Sequence, residues 1–137
     1  MKPHWMQACA CLAMTVAAGC AFDVYHLKQL PATIESGRSV RDSFQLAKEQ
    51  EVALDNSYKR TLRKGTKWTY VGTVQQGDVF RTADQILTVE ASNVHEAYID
   101  VSSDKLVGFY LPVEKAYSPL SEPVDLSIGA VVPGKNQ

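Results

Sequence analysis

Five cations fall within nine residues: Lys59, Arg60, Arg63, Lys64 and Lys67. On a helix, residues 59, 63 and 67 would share one face, and 60 and 64 another. Such a run suits contact with anionic lipid headgroups, lipopolysaccharide or an acidic partner. It equally suits a solvated face on which Glu49, Glu51 and Asp55 pair with the cations.

Other spacings exclude more than they offer. His95-Glu96 are neighbours and would point to opposite faces of a strand, so they cannot share a metal ion there. Asp23-x-x-His26 is a lone pair, short of the several ligands a metal needs. Asp100, Ser102 and Asp104 have the one-three-five spacing that opens a calcium loop. Lys105 stands where the loop needs glycine and Leu111 where it needs glutamate, so a hairpin turn is expected instead. There is no G-x-S-x-G elbow, no P-loop and no G-x-G-x-x-G. No catalytic residue, metal or cofactor is expected, and the chain is not read as an enzyme.

The chain has 137 residues, 45% of them apolar and 21% charged, with a formal net charge of −1. That is one domain with enough apolar surface for a core. The near-zero charge gives no field to hold nucleic acid.

The first twenty residues differ from the rest. Lys2 is the only charge before Asp23, and Ala8 to Ala18 is apolar apart from Thr15. That run is too short to span a bilayer, which needs about 20 residues. A charged start, a short apolar run and small residues after it read as a signal peptide over 1–19. Ala17-Ala18-Gly19-Cys20 resembles the lipobox of bacterial lipoproteins, with Ala17 where leucine is usual. The same residues also read as a small-x-Ala cut before Phe22. The resemblance implies that Cys20 is acylated and starts the mature chain. Ala21, rather than aspartate, after it implies the outer membrane, facing the periplasm, in a Gram-negative host. Cys9 and Cys11 fall in the leader, so Cys20 is the single mature cysteine and an intrachain disulfide is excluded. Losing Lys2 takes the 14 basic residues to 13 against 15 acidic, a mature net charge of −2.

The elements that position these groups read as strands. A short helical turn is expected from Phe22 to Leu27, capped by Asp23 and ended by Pro31. Residues 20–37 form a short lead-in, so the domain should work close to its membrane. Strand patterns follow at Phe44 and Leu46, at Val52 and Leu54, and over Lys67–Gln75. There Trp68, Tyr70 and Val74 are expected on one face, with Thr69 and Thr73 on the other. Gln76-Gly77-Asp78 turns that strand into Val79–Thr82. Ile86–Val89, Ala97–Val101, Leu106–Leu111 and Val124–Ile128 complete the series, with polar turns between. Ser57–Lys64 fits a short helix, with Asn56 as its cap and Gly65 as its close. Phe109 and Tyr110 read as a central strand buried on both faces, and Gly108 as a bulge or a close approach.

Strands about every ten residues predict an all-β domain over 38–128, a small antiparallel sandwich or barrel, with a flexible tail over 129–137. The functional expectation is a lipid-anchored envelope lipoprotein that binds or assembles with another envelope protein. A small-molecule or glycan binder is the alternative, and a cell-wall enzyme the third reading. An exposed edge strand favours the first, an apolar barrel cavity the second, and a His–carboxylate pair in a cleft the third.

Overall fold

The computed structural model describes residues 26–91 and 93–133. The leader, Cys20, Phe22 to Tyr25 and residues 134–137 lie outside that range. Among the described residues every regular element is a strand. In chain order these are β1 (Leu30–Pro31), β2 (Arg41–Leu46), β3 (Gln50–Ala53), β4 (Lys59–Leu62), β5 (Lys67–Val74) and β6 (Gly77–Thr82). They continue as β7 (Thr88–Glu90), β8 (Val94–Glu96), β9 (Tyr98–Ser102), β10 (Lys105–Leu111), β11 (Ala116–Asp125) and β12 (Ile128–Pro133). The fold is all-β and antiparallel, as expected. A large eight-stranded sheet, ordered β1-β11-β10-β9-β6-β5-β2-β12, packs against the small sheets β3-β4 and β7-β8, consistent with a β-sandwich.

One connection dictates how that sheet curves. Strands β11 and β12 stand six places apart in the order, yet only Leu126 and Ser127 separate them in the chain. Six strand spacings on a flat sheet are roughly 29 Å. The chain from Asp125 to Ile128 reaches at most about 11 Å. The sheet must therefore roll. Leu126 N–H donates to Asp104 O at 3.0 Å, and Ala47 N–H to Ser127 O at 2.7 Å, which fixes the two ends near one another. Leu54 on the β3 side bridges Leu120 of β11.

The rolled face encloses the main core. Phe44, Trp68, Phe80, Ile99 and Phe109 come from five neighbouring strands and are all fully buried. Phe80 meets Phe44 edge-on, with ring centroids 5.0 Å apart, and Tyr70 at 5.8 Å. Leu62 follows from β4, and Leu87 and Val89 from the β7 side. A smaller cluster of Val74, Val79 and Tyr110 occupies the reverse face, under Ala32 and Ile34 of the N-terminal segment.

Two bulges decide which side chains reach which cluster. Between Tyr70 and Gly72 the β5–β6 register slips by one residue, leaving Val71 extra. Trp68 and Tyr70 therefore pack with the main core, while Val74 belongs to the reverse cluster. The single face expected for Trp68, Tyr70 and Val74 is corrected by this slip, since a one-residue shift moves every later side chain to the other face. The second bulge lies between Leu106 and Gly108. A Cβ at Gly108 would collide with Ser118 O and the Tyr117 ring, so this strand crossing needs a glycine. Phe109 and Tyr110 are buried on opposite faces here, as read from the sequence.

Four boundaries also move. Lys59–Leu62 is a strand, so the short helix over Ser57–Lys64 does not form; pairing with β3 buries Leu62. His26 and Leu27, the part of the expected N-terminal helical turn that falls within the described residues, form no regular element, and the chain goes on to Leu30-Pro31, which pairs with Tyr117 and Ala116. The expected strand Val124–Ile128 is split by Leu126-Ser127, and β12 runs on to Pro133, through residues expected in a flexible tail. Finally, β11 runs through Pro119 and Pro123. Its neighbour β1 ends opposite Ala116 and Tyr117, so beyond Tyr117 a missing N–H costs no ladder bond on that side.

Trp68 is fully buried at the centre of the core. Trp68→Ala should cost about 3–5 kcal/mol in denaturant unfolding, with the slope unchanged. A loss below 1 kcal/mol would show that β5 does not carry the core.

Candidate functional site

The described residue least at home in its surroundings is Asp100. It sits mid-strand in β9, opposite Val79 of β6 and Gly108 of β10. Its neighbours Ile99 and Val101 enter the main core, so alternation sends Asp100 to the reverse face. There it has no exposure, and neither carboxyl oxygen has a hydrogen-bond partner. Its space exists because residue 77 is a glycine: a Cβ there would lie 2.6 Å from Asp100 Oδ1. Burial without donors, and then the nearby Asp78 carboxylate, push the Asp100 pKa up to about 7.

On the other face of β6, the one Asp78 shares with Phe80, the polar groups are tied to one another. Asp78 accepts from Ser39 Oγ at 2.8 Å and from Thr73 Oγ1 at 3.0 Å. The Tyr70 hydroxyl lies 2.7 Å from the same Thr73 oxygen. Tyr117 donates to Val107 O at 2.9 Å, and its pKa is pushed up to about 12 by burial and then by Asp100. Desolvation also raises Tyr110. Near neutral pH Asp100 is therefore divided between its protonated and charged forms, with no hydrogen-bond partner among the described residues. A recess of about 390 Å³ lies nearby, between Pro31–Glu35 and the β5–β6 turn. Gln76 lines it, with a buried Oε1 that has no partner.

The structure separates the basic run. Arg63, Lys64 and Lys67 are exposed on the β4–β5 turn and the first residue of β5, and among the described residues none has an ion pair. Lys59 pairs with Glu51 at 3.1 Å, both well exposed. Arg60 is half-buried, 3.4 Å from the Tyr58 hydroxyl. A strand puts Lys59 and Arg60 on opposite faces, so the helical grouping of 59 with 63 and 67 is lost. Cys20 lies outside the described residues.

His95 hydrogen-bonds Glu114 through Nδ1 at 2.6 Å, not its sequence neighbour Glu96. Among the described residues this is the only side-chain hydrogen bond to His95. No group of three His, Cys, Asp or Glu is placed to hold a metal among them. Ser103 and Asp104 take φ of 51° and 60°, the hairpin turn expected in place of a calcium loop, and Asp104 pairs with Arg41.

Sequence reasoning took Asp100 only as part of that rejected loop. The available signal was an acid inside Tyr98–Val101, an otherwise apolar strand. The flanking glycines come from β6 and β10, which the sequence does not show to be its neighbours. Comparison with known proteins finds no matching family model, no curated relative and no matching solved structure.

Asp100 carries a sign-definite consequence. In the unfolded chain its carboxyl loses its proton near pH 3.8, and in the folded chain near 7. Folding is therefore progressively disfavoured as pH rises between these values, and the loss levels off above 7, at roughly 4 kcal/mol. Asp100→Asn should match wild type near pH 4 and melt higher at pH 8. Equal melting at both pH values would show that the carboxyl is solvated in solution.

Proposed function

We propose that this chain is a lipid-anchored cell-envelope module that holds another envelope protein by adding a strand of that partner to β12. One observation carries the reading: β12 ends the large sheet, and residues 129–133 are exposed throughout. An exposed edge offers unpaired N–H and C=O groups to a second chain. Val131 and Val132, 46% and 52% exposed, add apolar contact on the two faces of that strand. The anchor half of the proposal rests on the lipobox resemblance at Cys20. The outer membrane, facing the periplasm, is the location it implies in a Gram-negative host.

The test combines both halves. Cys20→Ser should leave the chain soluble, or retain an uncut leader, while wild type stays with the membrane fraction. From native membranes wild type should retain one stoichiometric protein that Val131→Lys and Val132→Lys lose, with melting temperatures within about 2 °C of wild type. Retention of the same partner by both lysine variants would contradict strand addition at β12.

A further inference from the structure

The strand registers gather an unusual set of groups at one rim of the rolled sheet. Trp68 lies opposite Thr82, Gln45 opposite Lys67, and Leu111 opposite Ala116. The β4–β5 turn, the β6–β7 loop and the β10–β11 turn therefore leave the sheet at the same end. The first turn brings Arg63 and Lys64, with Lys67 beside it, all exposed and without ion pairs among the described residues. The loop brings Ile86, 80% exposed, and the β10–β11 turn brings Val113, 77% exposed.

The N-terminal strand β1 runs towards this same rim and ends there, opposite Ala116. Leu30 pairs with Tyr117, and Ala32 N–H donates to Lys115 O at 3.0 Å, so β1 is fastened to the end of the turn that carries Val113. Leu30 lies only ten chain steps on from Cys20. Fully extended they reach about 35 Å, so a lipid on Cys20 keeps this rim within that distance of the bilayer. Of the carboxylates nearby, Glu114 hydrogen-bonds His95, and Asp84, itself exposed, accepts from the Lys67 backbone N–H at 2.8 Å and keeps its charge. Glu49, beside Lys48, and Glu96 on β8 remain exposed. At the opposite end the cations are neutralised, Arg41 by Asp104 and Lys105 by Asp125.

We infer that this rim is a membrane-contact surface for anionic phospholipid, with Val113 and Ile86 entering the headgroup layer and Arg63, Lys64 and Lys67 meeting the phosphates. The inference rests on the lipoprotein reading of Cys20, because the tether holds the domain near the bilayer, while the exposed Ile86 and Val113 and the three cations without ion pairs among the described residues select this end. It fixes an orientation, which the anchor alone does not. Cations near such a surface and apolar tips at the headgroup level act together. It also leaves the exposed residues 129–133 of β12 open to a protein partner.

The experiment uses the lipidated full-length mature protein in vesicles of phosphatidylethanolamine and phosphatidylglycerol. An environment-sensitive fluorophore is placed at Val113→Cys, or at Val40→Cys of the opposite end, which is 85% exposed. Nitroxide-labelled lipid should quench the probe at 113 and leave the probe at 40 bright. Replacing Arg63, Lys64 and Lys67 with alanine together should weaken the contact about a hundredfold, at roughly fivefold per cation, and relieve quenching at 113. Raising salt should act in the same direction. Equal quenching at both positions, or stronger quenching at 40, would overturn the orientation. The intact mass of the same samples separates the two failures. Lipid on Cys20 with equal quenching removes the rim proposal alone, and a chain without lipid removes the anchor and the rim proposal with it.

Discussion

The two-residue step from β11 to β12 is the constraint on which the rest depends. Leu126 and Ser127 join strands six places apart in one sheet, and a flat sheet cannot satisfy that connection. Rolling supplies the concave face that buries Phe44, Trp68, Phe80 and Phe109 in one core. It also leaves β12 at the end of the sheet with its residues in solvent. The aromatic core and the exposed edge are two results of one short connection.

Two glycine-marked bulges then allot side chains to the two faces. Without the slip at Val71, Val74 would turn into the main core and the reverse cluster would lose a member. Gly108 lets β11 cross close to β10, and Gly77 leaves room for the Asp100 carboxyl. Asp100 is then a destabilising group at pH 8, in a domain whose total stability is of the order of 5–15 kcal/mol. A buried carboxyl with no donors marks a place where stability was not the only requirement.

Much of this was legible in the chain. Alternation over Lys67–Gln75 and the continuous apolar run Leu106–Leu111 marked two of the longest strands, and polar turns between apolar runs marked the class. What failed has physical reasons. Period-two patterns cannot register a bulge, so Val74 was placed on the wrong face. Prolines argue against strands, yet Pro119 lies opposite Gly108 of β10 and beyond the end of β1 on its other side. The basic run has helical spacing, but pairing with β3 outweighed a local preference worth only tenths of a kilocalorie per residue. Asp100 was hidden because its surroundings come from other strands. Adjacency kept His95 and Glu96 apart in the reading, but Glu114, nineteen residues on, could not be named as the partner that His95 has in the fold.

The central claim is that an anchored domain recruits its partner along β12. Amide hydrogen exchange on native membrane vesicles, with and without the captured partner, tests it most directly. The account predicts that backbone amides within 129–133 exchange slowly only in the complex, while those of β9 and β10 are slow in both. Rapid exchange across 129–133 in the complex, with new protection elsewhere, would contradict it.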